Sequence, residues 1–413
     1  MVRVKAVISR LAGYLAGVLL MAGGLAGAAE AKVEGDTVYL GAAISLTGKY
    51  STNGAHTRRG YDLAVERINA AGGVTVDGQT YKLDIIYYDD ESTPARGAQL
   101  AERLIQQDGV TFILGPYSSG LTRAMAPIVE KYGVPMVEAN GASISLFREG
   151  YKYLFAVLST TEQYLQGAIA LAAETAGEGE GLRVAMAMEN DPFSQDVRDG
   201  VIADAERHGM RVVIDDKLPP ELNDMSATLA KVRALRPDLL VVSGHAKGAA
   251  LAIRQLADSR VDVPMLALTH CDAAQVIEKF GDKAEYALCA AQWAPGLSYS
   301  DPLFGSAGDF ADLFEATFDY APPYQSAESA AAVMVFADAF ERAGSFDPKA
   351  VRDALAETDL ATFYGQIDFD EAGRNIAKPM VLYQVQDGEY RVVYPSDRAE
   401  AEFRHPTPRW SER

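Results

Sequence analysis

The chain has 413 residues, 48% of them hydrophobic and 23% charged, the balance of a folded globular protein and not of a disordered one. Its 57 acidic and 38 basic residues give a net charge of −19, which excludes a charge-driven nucleic-acid binder and a polyanionic partner. The length accommodates two domains or one large one.

The first 29 residues differ from the rest. Arg3, Lys5 and Arg10 form a basic start, Leu11 to Leu20 is apolar, and Gly and Ala follow. This predicts a secretory signal peptide over 1–29, cut at Ala26-Gly27-Ala28 or Ala29-Glu30-Ala31. A retained, weakly hydrophobic anchor is the alternative. No later segment is apolar enough to cross a bilayer. Two cysteines, Cys271 and Cys289, either pair as a disulfide in an exported chain or stay as two buried thiols. Together with five scattered histidines they make no usual metal-ligand spacing, so no metal and no cofactor is expected.

From Val38 the chain alternates short apolar runs with helical patterns. Val38 to Ile44 predicts a strand that ends in a long polar loop, Ser45 to Gly54, containing Tyr50 and Asn53. A helix follows around Gly60 to Asn69, then a turn at Val76 to Thr80, a strand over Lys82 to Tyr88 and a helix from Pro94 to Gln107. Thr111 to Leu114 predicts a buried strand, closed by Gly115-Pro116-Tyr117-Ser118-Ser119-Gly120 and followed by a helix from Leu121 to Tyr132. Val134 to Val137 is the next strand, and Ala139 to Ser143 its polar turn. In a parallel sheet both turns lie at the carboxyl ends of strands, where open α/β folds bind ligands.

After a glycine and glutamate linker at Gly177 to Gly181 the pattern restarts. Strands are expected at Leu182 to Met188, Arg211 to Ile214, Leu239 to Val242, Met265 to Leu268 and Leu288 to Trp293, with helices between them. Beyond Pro302 the chain reads helical over Gly308 to Phe318, Glu328 to Ala343 and Pro348 to Ala356. Late strands at Ile367 to Phe369, Val381 to Val385 and Tyr390 to Val393 follow, and residues 395–413 read as a surface tail.

Catalytic motifs are absent from the sequence: no G-x-S-x-G elbow, no H-E-x-x-H, no phosphate loop, no G-x-G-x-x-G. Ser118 and Ser119 would need a base to act as nucleophiles, and no carboxylate is evident that would orient His245 or His270. As donors at a helix N-terminus the serines suit an anion, as do Asn140, Ala142 and Ser143 before the helix expected after Ser143. Four aromatic residues stand near strand ends, Tyr50, Tyr117, Phe193 and Trp293; Tyr117 and Phe193 are the better candidates to touch a ligand.

Several strings then carry a family resemblance: I-L-G-P-Y-S-S-G at 113–120, G-V-P-M-V at 133–137, I-S-L-T-G at 44–48, N-A-A-G-G-V at 69–74, Y-Y-D-D-E at 87–91 and F-Y-G-Q-I-D-F-D at 363–370. Over about 38–394 the chain resembles type I periplasmic solute-binding proteins of the leucine/isoleucine/valine-binding kind. The resemblance implies an α/β fold of two Rossmann-like lobes with parallel sheets and three interlobe crossings. Lobe one would take 37–157 and 296–364, lobe two 158–295 and 365–394. It implies a non-enzymatic periplasmic monomer that traps a small solute by hinge closure and hands it to an ABC permease. A ligand-sensing module for a membrane receptor is the alternative role.

Carried over residue by residue, the first-loop serine that holds a ligand carboxylate falls on Ser119, beside Ser118 and Tyr117. The second loop places Asn140 and Ala142 where the family has small residues and a threonine, with Ser143 adjacent; Asn53 completes the lobe-one candidates. In lobe two Phe193 matches the family aromatic, His245 replaces a tyrosine and His270 replaces the glutamate that pairs with a ligand ammonium. A buried ammonium needs a carboxylate, which Asp191, Asp272 or Glu138 would have to supply. The resemblance therefore favours a small organic or aromatic acid over leucine, with a true aliphatic amino acid binder as the alternative.

Overall fold

The computed structural model describes residues 31–177, 181–220 and 223–413. The expected signal peptide, 1–29, lies outside the described residues, as does most of the glycine and glutamate linker. Among the described residues, no helix is long and apolar enough to cross a membrane.

The first sheet collects β1 (Val33–Glu34), β2 (Thr37–Ile44), β3 (Val74–Val76), β4 (Gln79–Asp89), β5 (Ile113–Leu114), β6 (Met136–Glu138) and β7 (Leu154–Ala156). Its order is β3-β4-β2-β5-β6-β7, with β1 paired to the start of β2. From β4 to β7 every pair is parallel. Connections run through α1 (Ser51–Ala70), α2 (Pro94–Gln106) and α3 (Ser119–Tyr132). The second sheet holds β8 (Arg183–Glu189), β9 (Arg211–Leu218), β10 (Leu239–Ser243), β11 (Met265–Thr269) and β12 (Leu288–Ala291). Its helices are α4 (Gln166–Thr175), α5 (Pro192–Arg207), α6 (Ser226–Leu235), α7 (His245–Ser259), α8 (Cys271–Ala274) and α9 (Val276–Phe280). Strand β10 is buried along its length, as a central parallel strand covered on both faces requires.

After β12 the chain leaves this sheet through a small hairpin, β13 (Ser300–Asp301) and β14 (Gly305–Ser306), and enters α10 (Ala307–Phe318), α11 (Tyr324–Ala343) and α12 (Pro348–Ala356). Helix α11 packs along α1. The approach is close because Gly60 has no side chain: a Cβ there would stand 2.2 Å from the Ser326 carbonyl. A second hairpin, β15 (Asp359–Thr362) with β16 (Gly365–Asp368), leads back to β17 (Val381–Gln386) and β18 (Glu389–Tyr394). These two join the second sheet antiparallel, giving the order β18-β17-β12-β11-β10-β8-β9. Both sheets are thus parallel at the centre, and the chain passes between them three times.

The passages are tied together by one buried amide. Gln292 accepts the Ser159 N–H (3.0 Å), donates to the Ser159 carbonyl (2.8 Å) and accepts from the Lys378 ammonium on its own carbonyl. Ser159 Oγ in turn donates to the Lys378 carbonyl at 2.6 Å.

Three expectations change. The long polar loop after β2 is shorter than read, because α1 starts at Ser51 and not near Gly60. The helix expected after Ser143 is a 3-10 turn, Ile144–Arg148. The terminal segment is docked on the second sheet's side: the Trp410 indole donates to the Val261 carbonyl (2.9 Å), the Thr407 N–H to Pro264 (2.9 Å), and Gln384 to the Arg404 carbonyl (2.9 Å). The cysteines, left open by the sequence, are joined as a disulfide.

Candidate functional site

On the first sheet, β5 and β6 end in the two loops singled out above. Ser118 stands at φ 85° and caps α3, its Oγ accepting the Leu121 N–H at 3.4 Å. Ser119 Oγ accepts the Ser143 N–H at 3.0 Å, so the first loop holds the second. Each hydroxyl keeps its hydrogen for a further acceptor. Asn140 donates from Nδ2 to Ser329 Oγ on α11 (3.0 Å), while its Oδ1 and Ser143 Oγ are buried with no hydrogen-bond partner. Ala142 is buried, its carbonyl accepting the Thr161 N–H at 3.0 Å.

Beneath this pair of loops lies Glu138. Oε1 accepts the Asn140 N–H at 2.6 Å, and Oε2 lies 2.9 Å from Thr122 Oγ1. Burial pushes this carboxyl up to about 8 against those bonds. Thr122 Oγ1 also lies 2.9 Å from the Ser118 carbonyl and has one hydrogen for two acceptors. A protonated Glu138 resolves the count by donating to Thr122.

On the second sheet, Asp191 caps α5, with Oδ1 accepting the Phe193 N–H (2.9 Å) and the Ser194 N–H (3.2 Å). His245, which opens α7 just after β10, has φ 55°, and His270, between β11 and α8, has φ 62°. Left-handed backbone at two non-glycine residues costs on the order of 1 kcal/mol each, and such strain gathers at functional sites. Together with rings from the first lobe they form a cluster. His245 lies 5.2 Å from His270, centroid to centroid, and Phe193 stands 5.4 Å from His245 and 5.2 Å from His270. Across the cleft Tyr50 and Tyr117 stand 4.9 and 5.6 Å from His245. Tyr117 Oη meets His245 Nδ1 at 2.9 Å.

The two imidazoles are shifted in opposite directions. Burial disfavours the cation at His245, but the Asp191 carboxylate, 3.5 Å away, holds it above its ordinary value. Burial and the neighbouring His245 charge push His270 well below its own, so it is neutral, and its Nδ1 has no hydrogen-bond partner. Asp191 is the orienting carboxylate that the sequence did not reveal. It lies on a different strand-end loop, brought alongside by the β8–β10 pairing.

Asn53, in the first turn of α1, lines a cavity of about 250 Å³ together with Lys49, Tyr50, Glu189, His245 and Lys247. Its Nδ2 has no hydrogen-bond partner. The geometry therefore gathers Tyr117, Phe193, His245 and His270 into one ring cluster. Ser118, Ser119, Asn140, Ala142 and Ser143 form the loop pair adjoining Tyr117. Asn53 and His245 face the cavity. Trp293 is elsewhere: it packs on Phe310, and its indole donates to the Phe363 carbonyl at 3.0 Å. Sequence reading missed Tyr164, 5.0 Å from Phe193, and Tyr324, 6.1 Å from His270. Pro322-Pro323 before Tyr324 was the available signal, since proline pre-sets a helix start.

The lobes touch across this cleft. Asp272 Oδ2 accepts the Tyr324 N–H at the start of α11 (3.0 Å), and Asp196 Oδ2 accepts from Ser145 N (3.1 Å) and Ser145 Oγ (2.7 Å). Two α/β lobes joined by three passages thus enclose a ring-lined cleft. A sequence profile described as "Periplasmic binding protein" matches residues 37–389.

The chain belongs to the periplasmic binding protein family.

Within this periplasmic binding protein family, the chain is 25% identical to a leucine-, isoleucine-, valine-, threonine- and alanine-binding protein of Pseudomonas aeruginosa, over 86% of this chain and 91% of that one. Its fold is similar to a branched-chain amino acid transporter substrate-binding protein of Streptococcus pneumoniae in complex with isoleucine (TM-score 0.76, 22% identity, 90% of this chain, 100% of that one). It is likewise similar to an ABC transporter solute-binding protein of R. palustris in complex with benzoate (TM-score 0.73, 20% identity, 86% and 95%). The fold is the type I periplasmic binding protein fold.

Proposed function

We propose that the chain is the periplasmic solute-binding component of an ABC importer, and that its solute is a small carboxylate, an aromatic acid in preference to leucine. Hinge closure of the two lobes traps the solute, and the closed form is what a membrane permease engages. Ser118, Ser119 and the 140–143 loop offer donors to the carboxylate; Tyr50, Tyr117 and Phe193 offer aromatic surface to the body.

The observation that carries the preference is the state of the carboxylates nearby. A solute ammonium needs a buried anion, and three were candidates. Glu138 is spent on Asn140 and Thr122, and burial pushes it up to about 8. Asp272 is spent on the Tyr324 and Ala273 N–H groups, and burial pushes it up to about 6. Asp191 caps α5 and lies 3.5 Å from His245, and Glu189 beside it lies 3.7 Å from Lys49, so each already faces a basic group of the protein. His270, where an anion would serve an amino acid, is a neutral ring with a free polar atom, suited to a hydroxyl, a carbonyl or a second carboxylate. The second reading, an aliphatic amino acid binder, is favoured by the relative in Pseudomonas aeruginosa.

Thermal-shift screening of the mature protein against aromatic acids, dicarboxylates and amino acids separates the readings. A bound solute at about a hundredfold excess over Kd stabilises by about 2.7 kcal/mol. Aromatic acids are expected to raise Tm, and His270→Ala to lose the response to ring-hydroxylated acids before that to benzoate. A response to leucine and isoleucine alone would replace this reading with the second.

A further inference from the structure

The cleft holds a second cluster, which shares His245 with the rings of the solute site. Glu189 ends β8, Asp191 caps α5, and His245 opens α7; one ligand atom from each lies within 4.8 Å of the others. All three come from the second lobe. Glu189 and His245 are buried, and the Asp191 side chain is 8% exposed. Two buried atoms of these side chains have no hydrogen bond: Asp191 Oδ2 and His245 Nε2. The remaining Asp191 oxygen is fixed by the α5 amides, and the other ring nitrogen of His245 by Tyr117 Oη.

We infer that Glu189, Asp191 and His245 form a binding site for a divalent cation of the Zn²⁺ class. His245 Nε2 stands 3.5 Å from the amide-bonded Asp191 Oδ1, which leaves Oδ2 as the Asp191 atom with no hydrogen bond. Two carboxylates with one imidazole balance a dication, and the mixed nitrogen and oxygen set suits Zn²⁺, Co²⁺ or Ni²⁺ over Ca²⁺ or Mg²⁺. Tyr117 supplies the partner on the far side of the ring that metal-bound histidines use for orientation. Three protein donors leave a fourth position for water or a solute oxygen, and Glu189 and His245 line the 250 Å³ cavity from which it would come. Lys49, from the opposite lobe, reaches Glu189 at 3.7 Å and competes for the same anion. Lys247 and Lys279 line the same cavity and weaken its pull on a cation.

The test is calorimetric titration of the mature, chelator-treated protein, free of any polyhistidine tag, with ZnCl₂, and with CoCl₂ followed by visible absorption. One equivalent should bind, and Co²⁺ should develop the strong visible bands of a tetrahedral site. His245→Gln and Asp191→Asn should each weaken binding at least about tenfold, the second retaining an α5 cap and hence the fold. Lys49→Ala should tighten it. Absence of saturable Zn²⁺ binding, a Co²⁺ spectrum no stronger than the hexaaqua ion, or binding unchanged in His245→Gln would overturn the inference. None of these readouts depends on which solute the protein carries.

Discussion

Glu138 carries a proton at neutral pH because it is fully buried, and that makes it a test of how the candidate site is built. Its folded pKa, about 8, exceeds the ordinary carboxylate value, so between those two values the unfolded chain has lost a proton that the folded chain keeps. Stability contributed by this residue is full at acid pH and falls as pH rises towards 8. Glu138→Gln supplies an N–H₂ to Thr122 Oγ1 and a carbonyl to the Asn140 N–H without ionising. Urea unfolding from pH 5 to pH 9 should show wild type losing stability relative to Glu138→Gln by up to about 1.4 kcal/mol per pH unit. A constant difference across that range would mean that Glu138 is ionised throughout. At this scale the sequence was partly legible. His245 and His270 stood out because each ends an apolar run. The Asp191–His245 pairing and the Glu189 cluster did not, since they arise from neighbouring strand ends that sequence order keeps apart.

At the level of elements, strands ending in Gly/Ser/Asn loops were readable because buried parallel strands are continuous apolar runs. The start of α1 was not. Asn53, Gly54, His56 and Thr57 look like loop residues, yet all are buried. They form a helix because polar groups here face the cleft and neighbouring helices, and because Gly54 has no Cβ, which would stand 1.9 Å from the Ser45 carbonyl. The disulfide was undecidable for a related reason: it needs β11 and β12 side by side, with Leu268 opposite Cys289. It closes a loop with a sequence separation of 18 and anchors the turn after His270. Replacing both cysteines by alanine should cost about 3 kcal/mol of stability in denaturant unfolding, with solute affinity also falling because His270 is no longer tethered. Undiminished stability would show that the turn is held by its packing alone.

Across the whole molecule, the three passages between lobes meet at Gln292, Ser159 and Lys378, while the ligand-facing groups lie at the strand ends above them. Relative motion of the lobes about that junction would carry Tyr50 and Tyr117 away from Phe193, His245 and His270, opening the ring cluster without disturbing either sheet. The two-lobe plan was legible because the strand-and-helix alternation restarts after the linker; the docking of residues 395–413 was not, because prolines and alternating charge also describe a free tail. On the proposed function, this cleft takes an aromatic carboxylate in place of an aliphatic amino acid. Calorimetric titration of the mature protein with benzoate and with leucine tests it most directly. One saturable site for benzoate, with leucine at least about tenfold weaker, a difference of about 1.4 kcal/mol, is the predicted result. Tight leucine binding with no heat from benzoate would contradict it.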